Sequence, residues 1–559
     1  MKTVIIGGVA GGATAAARLR RLDENAEIII IERSGYVSYA NCGLPYYIGG
    51  EITDRRELTL QTPKSFASRF NIDVRIHSEA LSIDRSSKTV HIRSLEDGRE
   101  YDESYDKLIL SPGAHPAVPE YEGVDSKRIM TLRTVEDTFR IYDYIAENNP
   151  RTAVITGGGF IGLEMAENLA RRGISVTIIQ RGNHVMPTLD DDMAASVHSY
   201  IRSNRIDLKT NTNVTAFRDE NDSTFVLTDK YEPLRADLII MAVGVVPESR
   251  LAKEAGLELG LKGAISVDPH MMTSDSDIYA VGDAVEVTHF VSGKKAVISL
   301  AGPANKQGRI AADNICGINS TYKGSQGSSV LKLFDMTIAS TGCTEKTARL
   351  YGYDYDYVIL TAASHASYYP GARSMIIKVI FEKSSGKILG AQITGYDGVD
   401  KRIDVLATAI RAGMTAFDLT ELDLAYAPPY SSAKDPVNMA GYIIENILTG
   451  KVRQLHWKEA LEGNGYMLDA RTDAEYVYGH IDGAIHIPLD SLRAHIDEIP
   501  RDKPVYVYCH SGLRSYIACR ILSQNGIECF NISGGYGFYQ TVERGLCPSQ
   551  DGTRPCGLK

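Results

Sequence analysis

The sequence predicts a multidomain α/β chain: two three-layer α/β units of one pattern, an α+β unit, and a small closing α/β unit. Three observations carry this. A buried strand, a glycine-rich turn, an Ala-rich helix and a second strand succeed one another at residues 3–32, and the pattern returns at 151–180. Beyond about residue 325 the apolar residues alternate with the period of antiparallel strands. Residues 504–526, PVYVYCHSGLRSYIACRILSQNG, then read as a buried strand, a loop and a helix. A chain of 559 residues is too long for one core, so roughly three to five domains are expected.

Composition narrows the field. A formal charge of −10 is mild and leaves no electrostatic footprint for nucleic acid. No apolar run reaches membrane-spanning length. Fifty glycines concentrate in loops after apolar strands, the habit of nucleotide-binding α/β folds. Eight cysteines show no framework spacing. The N-terminus is Met1-Lys2 and a short strand, not an apolar targeting segment with a cleavage site. Reduced thiols in a reducing, cytoplasmic compartment are therefore expected.

The first unit opens with strand 3–7, TVIIG, followed by Gly7, Gly8, Val9, Ala10, Gly11 and Gly12, a helix, and strand 27–31 closed by Glu32. This is a Rossmann-like dinucleotide unit. Its glycines allow the tight turn, its helix N-terminus receives a pyrophosphate, and Glu32 accepts ribose hydroxyls. Val9 departs from the pattern, holding the middle position where close backbone approach favours glycine. Next comes YVSYANCGLPYYIGG, residues 36–50, with one cysteine, Cys42, in a Gly/Pro-bounded turn ten residues after Glu32. A thiol there lies near where a cofactor's reactive ring is held, so Cys42 is expected to exchange electrons with a flavin. Residues 106–114, DKLILSPGA, give another buried strand and a Pro-Gly turn.

In the second unit Gly157, Gly159 and Gly162 fit GxGxxG fully, Phe160 and Ile161 between them join the expected cofactor contacts, and a helix runs on to about Arg172. Its second strand ends in Gln180 and Arg181, not in a carboxylate. A carboxylate would repel a 2′-phosphate, so the pair leans toward NADPH, with NADH the alternative. Two nucleotide folds in one chain indicate two dinucleotides, a flavin with a nicotinamide. Residues 236–249, including Gly244, return the chain to the first unit, and 277–286 bring Gly282 and Asp283 to a site suited to a flavin ribityl hydroxyl. A long Ala/Gly/Asn-rich helical stretch over about 300–316 is expected to pack near the flavin, with Ala301 among the cofactor contacts.

Strands at 336–341, 355–360, 374–381 and 388–395 and helices at 399–412 and 436–448 make the α+β unit. Two Pro-rich loops carry tyrosines: HASYYPGA at 365–372 and LAYAPPYSSAKDPVN at 424–438. In the closing unit Asp469, Arg471, Glu475 and His480 sit around turns, Cys509 ends a strand, and Ser515 opens a helix. Such a loop aims backbone N–H groups at one anion and, with the helix N-terminus, lowers the thiol pKa. Arg514 can brace the loop carbonyls or meet an incoming anion. His184, His289, His365 and His510 lack metal-ligand spacing, and no metal site is expected. Cys316 and Cys343 read as structural. Cys547 and Cys556 lie in the polar tail.

These residues carry a resemblance. Residues 1–448 resemble flavin-dependent pyridine nucleotide–disulfide oxidoreductases, and more narrowly the single-cysteine branch holding coenzyme A-disulfide and CoA-persulfide reductases. The likeness rests on Gly7–Gly12 with Glu32, on SYANC at Ser38–Cys42, on Gly157–Gly162 with Glu164, on Gly282-Asp283 and on the tyrosine loops. Residues 465–545 resemble a rhodanese domain, with CHSGLRS, Cys509–Ser515, as its sulfur-carrying loop. The domains expected from this are FAD-binding (1–115 and 242–325), NAD(P)H-binding (116–241), dimerisation (326–448), linker (449–464), rhodanese-like (465–545) and a tail (546–559).

The resemblance implies FAD, NADPH or NADH, and coenzyme A. Arg33, Ser38 and Asn41 join the cofactor contacts. Arg18 and Arg21 match positions that hold CoA phosphates, with Ser38 and Asn41 also at the substrate. Tyr368 and Tyr426 match tyrosines given to the partner subunit's site in a homodimer. Hydride would pass from nicotinamide to FAD and two electrons on to Cys42. Cys42 has no C-x₄-C partner, so it must borrow a sulfur from a visiting molecule. A fused persulfide carrier favours CoA-persulfide or polysulfide reduction with release of sulfide. The alternatives are CoA-disulfide reduction, NADH oxidase or peroxidase activity through a sulfenic acid, and a non-catalytic redox sensor.

Overall fold

The computed structural model describes residues 1–546, so Cys547 and Cys556 lie outside the described residues. The chain forms two compact units. The first joins Met1–Asn183 to Arg205–Gly327, and the second joins His184–Asn204 to the described residues from Ser328 on.

The first unit holds two five-stranded parallel sheets. In one the order is Ile278–Ala280, Lys107–Leu110, Lys2–Ile6, Glu27–Ile31, Asp73–Arg75. In the other it is Asp207–Lys209, Ser175–Ile179, Thr152–Thr156, Leu238–Met241, Ile129–Met130. The central strands are β-branched runs with helices over them, which is what parallel strands buried on both faces require. Val4, Ile5, Ile29, Ile30, Leu108 and Ile109 form the heart of the first core.

Each sheet turns into its helix through a glycine with positive φ, Gly7 at 95° and Gly157 at 104°. A Cβ at Gly12 would overlap the Gly7 carbonyl oxygen, and one at Gly162 would overlap that of Gly157. The Ala10–Leu22 helix is crossed by Ala301–Ile315 so closely that a Cβ at Gly308 would overlap the Gly11 carbonyl. Small residues here let two backbones meet beside the helix N-terminus.

The second unit contains an antiparallel sheet in the order Ser329–Leu333, Met336–Gly342, Ile388–Gly395, Ser374–Glu382, Tyr355–Ala363, with helices Val399–Ala412 and Pro436–Leu448. It also contains a parallel sheet, Gln454–Leu455, Cys529–Ile532, Val505–Tyr508, Tyr466–Asp469, Ile485–His486. The stretch expected as a linker is no free tether. Gln454–Leu455 is a strand of the second sheet, and Gln454 Nε2 donates to the Tyr357 carbonyl at 2.9 Å. His456 stacks on Tyr357 with ring centres 3.8 Å apart, and its Nε2 lies 2.7 Å from Asp356.

The segment His184–Asn204 is built into this unit. A Cβ at Gly545 would overlap the Ala195 carbonyl oxygen, so helices Asp191–Ser203 and Gly535–Leu546 touch backbone to backbone. Arg202 donates to the Gly545 carbonyl at 2.9 Å, and His198 Nδ1 lies 3.2 Å from it. Burial pushes the His198 imidazole down to about 4, so it is neutral at pH 7 and accepts the Val185 N–H at Nε2.

Asp190 and Asp192 of the same segment meet Glu345 around the ammonium of Lys378, which is wholly buried. Burial works against that charge, but Asp192, Asp190 and Glu345 outweigh it and hold Lys378 well above the ordinary lysine range. Among the described residues these three carboxylates are the group with metal-like spacing, and the ammonium stands among them. No helix of the described residues is long and apolar enough to cross a membrane.

Candidate active site

The two glycine turns repeat one local geometry. Gly8 N–H donates to Glu32 Oε2 at 2.8 Å, and Gly158 N–H donates to Gln180 Oε1 at 2.9 Å. Burial pushes the Glu32 carboxyl up, against the N–H groups of Gly8 and Ser34 that hold its charge. Neither Val9 nor Gly159 caps its helix with a side chain, and neither first turn carries an acid. The leading N–H groups are thus left for an outside acceptor, which suits a pyrophosphate at each turn. A Cβ at Gly159 would meet nothing within 4 Å, so glycine there serves approach from outside and not packing. The residues present therefore fit two dinucleotides.

Cys42 sits in the short 3₁₀ turn Asn41–Gly43, which runs into the helix Leu44–Gly49. Ser38 enters the turn with φ 49°, a strained value for a residue with a side chain. Its N–H donates to the Gly8 carbonyl at 2.8 Å, which ties the cysteine turn to the glycine turn. The Leu44–Gly49 helix packs on Phe160–Arg171 of the other lobe, where a Cβ at Gly49 would overlap the Asn168 amide oxygen.

Cys42 is exposed, yet the protein around it displaces enough water to push its thiol up. The Glu164 and Asp283 carboxylates add to that push and Arg133 opposes it. Glu164 is itself pushed up to about 7, first by burial, with the Tyr46 hydroxyl 3.5 Å from it. Above pH 7 its charge therefore works against a thiolate at Cys42. Glu164→Gln removes that charge, and iodoacetamide should then alkylate Cys42 roughly two- to threefold faster at pH 8. An unchanged alkylation rate would separate the two groups.

The first unit also gathers other expected residues. Asp283 lies in the three-residue turn Gly282–Ala284 and accepts from Arg133 at 2.8 Å. Gly282 N–H donates to Gln307 at 2.7 Å. Gly244 has φ 124°, and its carbonyl accepts from Ala117 N–H at 2.9 Å. Arg33, Arg181 and Ala301 are exposed and Asn41 is half-buried. Arg21 is exposed, but Arg18 is ion-paired to Asp313 at 2.7 Å, so any phosphate contact by Arg18 competes with that carboxylate. Arg133 and Tyr46 escaped the sequence reading. Arg133 lies 150 residues from its partner and carries no local signal.

The second unit brings the tyrosine loops together. The Tyr368 and Tyr426 hydroxyls are 2.8 Å apart, with 74% and 45% of the residues exposed. That hydrogen bond holds the Tyr426 hydroxyl above the usual phenol range, so it keeps its proton at neutral pH.

In the closing sheet the helix begins at Leu513, two residues before the expected Ser515, because Gly512 turns the chain at φ 98°. Gly512 N–H donates to Cys509 Sγ at 3.1 Å, and the Ser515 hydroxyl lies 3.4 Å from it. Arg514 does not brace the loop carbonyls. Its two terminal nitrogens donate to both oxygens of Glu475 at 2.7 Å, and this holds the Glu475 carboxyl down to about 2. The loop is fixed from the other side by Tyr536 N–H, which donates to the Cys509 carbonyl at 2.7 Å, while Trp457 Nε1 donates to Gly535.

Residues 1–308 match the family described as pyridine nucleotide-disulphide oxidoreductase, 328–436 match its dimerisation domain, and 453–540 match the rhodanese-like domain. The chain belongs to the pyridine nucleotide-disulphide oxidoreductase family. Within the family, a reduced Bacillus anthracis protein named CoADR-RHD is 50% identical, over 97% of this chain and 98% of its own, with a TM-score of 0.95. An NAD-dependent persulfide reductase from A. fulgidus is 40% identical, over 96% and 100%, with a TM-score of 0.91. The coenzyme A disulfide reductase of Staphylococcus haemolyticus is 37% identical over 442 residues, 79% of this chain and 98% of its own length. Family membership makes the chain a FAD-dependent NAD(P)H:disulfide/persulfide oxidoreductase, joined to a rhodanese domain.

Proposed function

We propose that this chain, as a homodimer, reduces coenzyme A disulfide with NAD(P)H through Cys42. The observation that carries the reading is the isolation of that thiol. The other described cysteine of the first unit, Cys316, has Asp23, Asp313 and Arg18 as its charged neighbours, whereas Cys42 has Glu164, Arg133 and Asp283. With no described cysteine among the groups that act on it, Cys42 takes its second sulfur from the substrate. Sequence alone put CoA-persulfide reduction first. The coenzyme A disulfide reductases, which match over nearly their whole length, support the disulfide reading better.

FAD, when bound, relays two electrons from nicotinamide to sulfur. The chain's residues would do the rest. Gly7–Gly12 and Glu32 hold the adenosine end and Asp283 the ribityl hydroxyls. Gly157–Gly162 and Gln180 hold the nicotinamide coenzyme. The Cys42 thiolate attacks one sulfur of CoA–S–S–CoA. A Cys42–S–S–CoA bond forms and one CoA thiolate leaves. Tyr426 of the partner subunit, hydrogen-bonded to its neighbour, gives that thiolate a proton. Two electrons then cleave the mixed disulfide, so NAD(P)H and H⁺ convert one CoA disulfide into two CoA thiols. Coenzyme A thiolate is a fair leaving group, so the tyrosine's help is modest.

Persulfide reduction stays as a second reading on one observation, the loop that aims Gly512 N–H and the Ser515 hydroxyl at Cys509. There Cys42 would attack the sulfane sulfur of CoA–S–SH, CoA thiolate would leave, and two electrons would release sulfide. The test compares NADPH oxidation by the FAD-bound enzyme with CoA disulfide, CoA persulfide and oxygen. Two free thiols per NADPH from CoA disulfide is the expected result. NADPH consumption matched by oxygen uptake would refute it.

Coenzyme choice follows from Gln180. With Glu at that position the Gly158 contact survives, but a 2′-phosphate meets a carboxylate. Gln180→Glu should lower the NADPH-to-NADH ratio of kcat/KM by about tenfold or more. An unchanged ratio would place 2′-phosphate recognition elsewhere.

A further inference from the structure

The Cys509 loop carries a cation whose charge is already answered. Both terminal nitrogens of Arg514 donate to Glu475, one to each carboxylate oxygen, at 2.7 Å. Glu475 holds the guanidinium above its ordinary range, and the Cys509 thiol acts on it in the same direction as a smaller influence. Arg514 therefore has both the thiol and a carboxylate as neighbours. An anion that comes to Cys509 meets a neutral pair in place of a free cation. Arg471 is committed in the same way, to Asp469 and to the Gly479 carbonyl. The flanks of the pair are apolar. Tyr478 stands three residues after Glu475 on the helix Asp473–Tyr478, and Ile517 three after Arg514 on the helix Leu513–Gln524. Residues three apart share a helix face, and both of these are exposed.

Donors of sulfane sulfur differ in charge. Thiosulfate is a dianion and expels sulfite, a second dianion, so it needs an unanswered cation beside the attacking sulfur. We propose that Glu475 sets the donor specificity of this loop: it withholds Arg514 from dianionic donors and leaves Cys509 to organic persulfides, R–S–SH. The inference deepens the second reading above and rests on Cys509 as the sulfur carrier. The Cys509 thiolate attacks the outer sulfur of R–S–SH. A bond from Cys509 to that sulfur forms, the donor's S–S bond breaks, and R–S⁻ leaves with the electron pair, so that Cys509 holds S–SH. Tyr478 and Ile517 give the R group apolar surface. The loop has other supports than the ion pair. Tyr536 and Gly537 N–H groups hold the Cys509 and His510 carbonyls at 2.7 and 2.9 Å, and Ser515 and Asn531 reach the Gly512 carbonyl at 3.1 and 3.5 Å.

The test loads the FAD-bound enzyme, without NADPH, from thiosulfate or from the persulfide of mercaptoethanol. Persulfide on the Cys509 peptide is followed by alkylation and mass spectrometry. Glu475→Gln keeps an oxygen for Thr472, whose N–H donates to Glu475 at 3.0 Å. It should raise the loading rate from thiosulfate about tenfold and leave that from the persulfide within about twofold. Glu475→Asp, which keeps the charge, should leave thiosulfate slow. An unchanged thiosulfate rate in Glu475→Gln would overturn the inference, as would an equal gain with both donors, which would place the effect on the thiolate and not on the donor. Loss with both donors would make Glu475 a brace of the loop and overturn it too. If the enzyme with Glu475 intact loads from neither donor, Cys509 is no sulfur carrier and the persulfide reading itself falls.

Discussion

Cys42→Ser should abolish reduction of CoA disulfide, by at least about 10³-fold in kcat/KM, while FAD stays bound. Serine matches cysteine in shape, so the Asn41–Gly43 turn and the Ser38 link to Gly8 persist. The turn lies among groups that would hold the cofactor, but the thiol is given no role in holding it. A hydroxyl cannot form the mixed disulfide, so the step that accepts electrons disappears outright. The check is steady-state NADPH oxidation with CoA disulfide, alongside the flavin absorbance of the purified variant. Turnover near the parent rate would remove Cys42 from the mechanism. Loss of FAD would show that the turn fails to tolerate the change.

Lys378→Ala should cost the second unit about 3–5 kcal/mol, as breaking a buried ion pair does. The ammonium faces Asp192 at 2.8 Å and Asp190 at 3.2 Å, and also contacts Glu345, with the Tyr357 ring 4.1 Å away on another side. Removing it leaves three carboxylates crowded without a counter-charge. The single tryptophan, Trp457, belongs to this unit, so its fluorescence on heating reads the effect directly. A fall in midpoint of roughly 5–15 °C is expected.

The pH dependence has a definite sign. Burial already holds the Glu345 carboxyl above its ordinary range against the opposing pull of Lys378, so without the ammonium its folded-state pKa stands further above that of the unfolded chain. Between about pH 7 and 5 the folded variant therefore binds more protons than its unfolded form. Its deficit against the parent should shrink as pH falls through that window. A deficit that is constant with pH, or absent, would mean the charges are compensated elsewhere.

Much of the site was legible because its determinants are local. Gly7, Gly12, Gly157 and Gly162 are dictated by backbone overlap within a few residues. The acid or amide that ends each second strand occupies a fixed offset from its turn, as Glu32 and Gln180 do. The tyrosine loops were visible as unusual composition, though not the bond between their hydroxyls. What escaped reading is long-range. Arg133 reaches Asp283, Arg514 reaches Glu475, and Lys378 reaches Asp192, 186 positions earlier. Each pairing depends on how strands and helices stack, which no local pattern encodes.

The stretch 449–464 illustrates the same limit from the other side. It is expected as a linker between two domains, but His456 and Gln454 find their partners on the Tyr355–Ala363 edge strand. The segment His184–Asn204 likewise sits inside one nucleotide-binding stretch by sequence, while its Asp190, Asp192 and His198 hold the other unit together. One helix start is displaced for a simpler reason: Gly512 bends the chain so that the helix begins two residues before Ser515.

The central claim is that Cys42 bonds to a sulfur supplied by the visiting molecule. Peptide mass mapping tests it most directly. The FAD-bound enzyme is given excess CoA disulfide and limiting NADPH, then quenched in acid. The account predicts a coenzyme A adduct on the peptide that holds Cys42. A disulfide from Cys42 to another protein cysteine, or an adduct elsewhere with Cys42 free, would contradict it.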